Sequence, residues 1–264
     1  MNIRELFDDM WALYVRINPS VNKVRKLIEQ HEGGPVKNDH IAIRTFNHPR
    51  VNREVLAKSF LDSGYKPVED LKFEKKKLDA TYYLHNDDDL TRVFISELKL
   101  EEFSPELQET INQLINQIPN KAIEQFDFCN SGTPWNPITK ETYDFLKEES
   151  EYAAWVATFG FIVNHFTISV TDCNSFKNLE QVNAFLKENG YRINDSGGEI
   201  KGSVEQGLEQ SSILAEDIIV EFDSLEYEPH DIPGCYYEFA LRHNNFDGFI
   251  AGSADKIFES TDNK

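Results

Sequence analysis

The chain has 264 residues, with 27 Lys+Arg against 46 Asp+Glu, a formal net charge of −19, and 40% hydrophobic residues that include 19 Phe, 10 Tyr and 3 Trp. That length accommodates a sizeable core, and the abundance of aromatics excludes a disordered chain. The acidic balance repels a phosphate backbone and excludes nucleic acid as a partner.

No run of about 18 apolar residues occurs. The start MNIRELFDDM carries acids where a signal peptide has a basic end and an apolar stretch, so a cytoplasmic protein with no membrane partner is expected. Cys129, Cys173 and Cys235 are odd in number and widely spaced, the pattern of thiols rather than of a disulfide or a zinc site.

Leu6, Met10, Leu13, Tyr14 and Ile17 recur at helical spacing, Asn18-Pro19-Ser20 interrupts, and Val24, Leu27 and Ile28 resume the pattern up to Gly33-Gly34, which predicts a helical pair. A strand over residues 39–46, a helix over 51–63 ending at Gly64-Tyr65, and strands over 80–85 and 92–98 follow. The acidic stretch 85–89 between the last two reads as a solvated turn. Residues 101–158 form a mostly helical connector, with Leu107, Ile111, Leu114, Ile115 and Ile118 on one apolar face and a loop at Pro134-Trp135-Asn136-Pro137.

A second half then repeats the first: a His-bearing strand over 161–170, a helix over 175–189 ending at Gly190-Tyr191, a glycine-rich turn, a strand over 212–222 and a last strand over 235–242. The expected fold is α+β. It comprises N-terminal helices (1–34), a first βαβββ module (35–100), the connector (101–158) and a second module (159–264) within one domain. Two such modules forming a curved sheet around a metal cavity are the vicinal-oxygen-chelate architecture.

Residues at i, i+2 and i+4 of a strand share a face, so His40, Ala42 and Arg44 point one way. His165 holds the matching place in the second half, which makes the two histidines a plausible pair of metal ligands. Glu238 lies within Tyr236-Tyr237-Glu238-Phe239-Ala240-Leu241, where an ionised carboxylate calls for a cation beside it. Two His and one carboxylate leave coordination positions open and suit non-haem Fe(II), with zinc less natural. Glu97 occupies in the first half roughly the place of Glu238 and is the rival third ligand. His48, His85, His230 and His243 lie in turns, in loops or after the last strand, and are weaker candidates.

Arg44 and Arg242 each follow a proposed ligand by four residues, and a guanidinium there can clamp a substrate carboxylate. The glycine-containing stretch 197–203, with Lys201, lacks Walker or dinucleotide spacing and reads as a hairpin lining the pocket. No GxSxG elbow or Cys–His pair supports covalent hydrolysis.

Asp39-His40-Ile41-Ala42-Ile43-Arg44-Thr45-Phe46, Asn164-His165-Phe166-Thr167, Ile200-Lys201-Gly202-Ser203, Leu208-Glu209-Gln210-Ser211-Ser212, Tyr236-Tyr237-Glu238-Phe239-Ala240 and the stretch Ser253–Ser260 together resemble the DUF1338 family of 2-oxoadipate dioxygenase/decarboxylase-like proteins. The resemblance runs from about residue 30 to the end. It implies a vicinal-oxygen-chelate-like Fe(II) enzyme that converts 2-oxoadipate to 2-hydroxyglutarate and CO2 with O2. Carried over residue by residue, it implies His40, His165 and Glu238 as iron ligands and Arg44 as the catalytic, carboxylate-binding arginine. Independently of the resemblance, Arg242 or Lys201 is the alternative substrate-binding cation for the acid's distal carboxylate. The competing expectations are another metal-dependent reaction of this fold, such as extradiol cleavage or isomerisation, and a metal-free module that holds a carboxylated ligand.

Overall fold

The computed structural model describes residues 1–224 and 229–252, so the stretch Ser253–Ser260 lies outside the described residues. Helices α1 (Ile3–Ile17) and α2 (Pro19–Glu32) form where the heptad-like spacing predicts them. Leu6, Met10 and Tyr14 recur every fourth residue and are buried along one face of α1. Pro19 opens α2, where its missing N–H is no loss, and Gly33 at φ 75° ends it.

Strand β1 (Asn38–Phe46) is buried from Asp39 onward. The helix expected over 51–63 is divided into α3 (Arg53–Leu56) and α4 (Lys58–Asp62) by Ala57 alone, and the Asn52 side chain caps its start by accepting from Val55 N. Strands β3 (Leu78–Leu84) and β4 (Arg92–Leu98) lie at the expected places. Between helix and β3 stands β2 (Lys66–Phe73), which the sequence pattern did not reveal. Its first five residues are exposed, its register shifts between Pro67 and Glu69, and only Leu71 and Phe73 turn inward. A charged, proline-bearing edge strand carries no alternating signal.

In the connector, α5 (Pro105–Asn116), α6 (Asn120–Ile123), α7 (Lys140–Glu149) and α8 (Glu151–Phe159) follow one another. Ser104, Thr139 and Ser150 cap α5, α7 and α8 by accepting backbone N–H groups. In the loop before α7, buried Trp135 donates its indole N–H to Ala157 O at 2.9 Å.

The second half runs β5 (Val163–Ser169), α9 (Leu179–Glu188), β6 (Lys201–Ser203), β7 (Leu208–Ser212), β8 (Asp217–Glu221), β9 (Pro229–Pro233) and β10 (Tyr236–Arg242). The single strand expected over 212–222 is two. Ile213 and Leu214 give their N–H groups to Tyr237 O and Arg192 O, the chain leaves β7, and β8 pairs with β9 in a separate ribbon. Both halves therefore carry the βαβββ order: β1, α3–α4, β2, β3 and β4, then β5, α9, β6, β7 and β10. The fold is α+β and of vicinal-oxygen-chelate type, with added helices before and between the modules.

Residue contacts group into two units that interleave along the chain. The first takes Met1–Leu13, Ala42–Val163 and Ile219–Ile232, and contains the antiparallel run β2-β3-β4. The second takes Tyr14–Ile41, Asn164–Ile218 and the chain from Pro233 onward, and contains the order β5-β10-β7-β6. Strand β1 has residues in both. Among the described residues, no helix is long and apolar enough to cross a membrane.

Candidate metal centre

Register within the second unit assembles the centre. Strand β10 runs parallel to β5 with Tyr236 opposite His165 and Glu238 opposite Thr167, so these four side chains share one face. On its other side β10 runs antiparallel to β7, with Glu238 opposite Ser212 and Ala240 opposite Gln210. Glu238 thus stands between Thr167 and Ser212, flanked diagonally by His165 and Gln210.

His40, from the start of β1, completes the group. One donor atom from each of His40, His165 and Glu238 lies within 4.8 Å of the others, and all three residues are buried. Glu238 Oε1 is 3.4 Å from His40 Nε2, and Oε2 is 3.2 Å from His165 Nε2. The two imidazoles meet edge to face with centroids 5.6 Å apart.

Each imidazole is held from behind. His40 Nδ1 lies 2.7 Å from Asp39 Oδ1, and His165 Nδ1 lies 3.1 Å from Asn164 Oδ1. An acceptor at each Nδ1 favours a proton on that nitrogen and turns Nε2, the atom able to ligate a metal, toward Glu238. The Thr167 hydroxyl lies 3.1 Å from His40 Nε2, and Gln210 Nε2 donates to Glu238 Oε1 at 2.5 Å. The Tyr236 ring stacks on His165 and the Phe249 ring meets His40 edge-on.

Glu238 is 1% exposed. Burial pushes its carboxyl above the usual range, against the pull of His40 and the hydrogen bond from Gln210. An ionised carboxylate held out of water costs several kcal/mol unless a cation accompanies it. Two imidazole nitrogens converging on that carboxylate form a donor set that fits a divalent transition metal and leaves positions free for other ligands.

The other expected residues are distributed as follows. Arg242 joins Asp39 through both carboxylate oxygens, Nε to Oδ2 at 2.7 Å and Nη2 to Oδ1 at 2.9 Å. Burial alone would raise the Asp39 carboxyl, yet Arg242 and the hydrogen bonds from His40 and Arg242 hold it well below the usual carboxylate range. Lys201, 4% exposed, lies opposite Gln210 in the β6–β7 hairpin and donates Nζ to Asn194 O. Arg44 belongs to the first unit, where it is buried with its guanidinium 5.1 Å from the Tyr152 ring and 5.0 Å from the Trp155 ring.

Glu97 accepts from Arg53 N at 2.9 Å and belongs to no cluster of potential metal ligands among the described residues. Its carboxyl is raised by burial, with Arg53 opposing. His48 and His85 accept local turn N–H groups, His230 packs on Phe222, and His243 pairs with Glu209. None of the three cysteines is in a disulfide.

Asp39, Asn164, Thr167 and Gln210 were not anticipated as parts of this centre. A signal existed in the dipeptides Asp39-His40 and Asn164-His165, an acceptor just before each histidine in both halves. Strand alternation nominally sends adjacent side chains to opposite faces, which concealed it.

A family model for 2-oxoadipate dioxygenase/decarboxylase matches residues 6–244. The chain belongs to this family of enzymes. Among relatives of the 2-oxoadipate dioxygenase/decarboxylase family, a chloroplastic protein of that name from Arabidopsis thaliana is 34% identical, over 98% of this chain and 77% of that protein. A rice hydroxyglutarate synthase solved in complex with 2-oxoadipate is 33% identical, with TM-score 0.90 over 98% of this chain and 92% of that one. A Shewanella frigidimarina structure described as a candidate hydrolase is 45% identical, with TM-score 0.88 over 95% of this chain and 98% of that one.

Proposed function

We propose that this protein is an Fe(II)-dependent dioxygenase/decarboxylase that converts a 2-oxo dicarboxylic acid, 2-oxoadipate, to 2-hydroxyglutarate and CO2 with O2. The observation that carries the reading is the convergence of His40 Nε2 and His165 Nε2 on the buried Glu238 carboxylate. The family supports the substrate and reaction class.

His40, His165 and Glu238 would hold the metal. Bound there, Fe(II) supplies Lewis acidity toward an anionic 2-oxo acid and the redox chemistry that O2 requires. In the balanced reaction, the bond between C1 and C2 breaks and C1 leaves as CO2. C2 takes one oxygen atom and becomes the new carboxylate, and C3 takes the other as a hydroxyl.

The chain's own groups bind and orient. Asp39 and Asn164 hold the Nδ1 protons and fix both imidazoles, while Gln210 fixes the Glu238 carboxylate. Arg44 meets a substrate carboxylate, its guanidinium plane held by Tyr152 and Trp155. Lys201, one strand from Gln210, provides a second buried cation for an acid that carries two charges. Tyr236 and Phe249 cover the imidazoles with apolar surface and limit the access of water.

The test is anaerobic loading of purified protein with Fe(II), followed by 2-oxoadipate and air, with O2 uptake, CO2 release and 2-hydroxyglutarate measured beside His165→Ala. Equal consumption of O2 and release of CO2 by the wild type, abolished in the variant, is expected. Equal activity in the variant, or metal binding with no O2-dependent loss of the 2-oxo acid, would overturn the reading.

A further inference from the structure

Arg242 lies on the same strand as Glu238 and four residues beyond it, a spacing that suits a substrate-facing cation. Its side chain is committed elsewhere. It is 7% exposed and forms a two-pronged pair with Asp39, which is 1% exposed. Its remaining Nη1 donates to Phe246 O at 3.1 Å and Gly248 O at 2.8 Å, and its backbone N–H donates to Thr171 Oγ1 at 2.8 Å. The ring of Phe249 closes over the guanidinium at 5.3 Å while meeting His40 edge-on. Four of the five donors of the guanidinium are therefore spent on a carboxylate and two carbonyls within the protein.

Asp39 uses the same oxygen, Oδ1, to accept from Arg242 Nη2 and from His40 Nδ1. The path from Arg242 through Asp39 to His40 is three buried side chains long. It begins on β10, the strand that supplies Glu238, and ends on β1, the strand that supplies His40, with β5 standing between the two in the sheet. The strands that carry Glu238 and His40 are thus tied to each other by side chains behind the centre. The other imidazole has a neutral counterpart: Asn164 at His165 Nδ1, with Tyr236 stacked on the ring.

We propose that Arg242 and Asp39 are positioning residues for the metal centre, the arginine fork fixing the carboxylate that sets the orientation and proton location of His40, and that Arg242 is not a substrate clamp. This rests on the reading of His40, His165 and Glu238 as metal ligands. Groups hydrogen-bonded to a ligating histidine set its orientation and basicity, and their loss lowers metal affinity by roughly 10- to 100-fold.

The test is titration with Co(II), a spectroscopic probe for a divalent metal, of the wild type, His165→Ala, Asp39→Asn, Arg242→Lys and the double variant Asp39→Asn/Arg242→Gln. Thermal melting of each metal-free protein and its affinity for 2-oxoadipate are measured alongside. The double variant removes both charges together and so leaves no buried charge unpaired. Expected is a roughly 10- to 100-fold loss of Co(II) affinity with shifted visible absorption bands in Asp39→Asn and in the double variant, and a smaller loss in Arg242→Lys.

Wild-type affinity and absorption bands in the folded Asp39 variants would overturn the proposal. Weakened 2-oxoadipate binding with unchanged Co(II) affinity in Arg242→Lys would overturn it in favour of a substrate clamp. Unfolding of all three variants would reduce the pair to a scaffold element and overturn it as well. If the wild type itself bound no Co(II), or His165→Ala bound it equally, the metal-centre reading would fall first and this proposal with it.

Discussion

The Tyr236 ring lies stacked on the His165 imidazole, centroids 4.6 Å apart and planes 27° from parallel, because the two residues are direct partners in the β10–β5 parallel register. Stacking restrains the tilt of the imidazole while Asn164 holds its Nδ1, so the ring is fixed by one contact in its plane and another on its face. An aromatic contact of this kind contributes about 0.5–1.5 kcal/mol. Tyr236→Leu is therefore expected to lower Co(II) affinity by up to about tenfold, and Tyr236→Phe to leave it near the wild-type value. A metal titration of both variants checks this, and equal losses in the two would assign the effect to the hydroxyl.

Arg44 is held between Tyr152 and Trp155, with the Tyr152 hydroxyl donating to Ser96 O at 2.7 Å and accepting from Thr45 N at 3.0 Å. Lysine keeps the charge and loses the planar fork. Arg44→Lys is expected to lower kcat/KM for 2-oxoadipate by roughly 10- to 100-fold, the scale of a lost charge-assisted hydrogen bond, chiefly through KM. Metal affinity should stay unchanged. Steady-state kinetics and a Co(II) titration separate the two quantities.

Gly160 ends α8 at φ 69°, and a Cβ there would sit 1.9 Å from Gly132 O. The same Gly132 exchanges backbone hydrogen bonds with Phe161, at 3.0 and 2.8 Å, just before β5. Gly160→Ala combines a left-handed backbone with a clash against a main-chain atom. It is expected to destabilise the protein by well over about 1 kcal/mol, seen as a lower melting temperature, whereas Gly190→Ala, with open space around its Cβ, should cost less.

Burial pushes the Cys129 thiol up to about 12, against a hydrogen bond with Ser59, and burial together with Glu32 and Asp172 pushes Cys173 up to about 12. Both stay protonated at neutral pH, so alkylation of the native protein should be slow until it unfolds, when three thiols react. The folded pKa of Cys129 is raised, so its contribution to stability is complete below the unfolded value of 9.0 and is lost as pH rises toward about 12. Unfolding titrations across that window should show stability falling, with a shallower fall in Cys129→Ser.

The paired modules were legible because His40 and His165 open matching strands and each following helix ends in Gly-Tyr, Gly64-Tyr65 and Gly190-Tyr191. Glu238 was legible because a carboxylate among Tyr236, Tyr237, Phe239 and Ala240 demands a partner. Strand β2 was not, since Lys66-Pro67-Val68-Glu69-Asp70 is an exposed edge whose residues carry no burial pattern. Arg242 reads from spacing as a substrate cation, yet its partner Asp39 lies 203 residues away in the chain, a distance that no local pattern spans. Gln210 likewise reaches Glu238 only through the β7–β10 register.

The measurement closest to the central claim is the fate of heavy-isotope dioxygen. Fe(II)-loaded protein turning over 2-oxoadipate under labelled O2 should yield 2-hydroxyglutarate carrying both labelled atoms, one in the new carboxylate and one in the hydroxyl, with the product absent in Glu238→Ala. A hydroxy acid with no label, or loss of the 2-oxo acid without consumption of O2, would contradict the account.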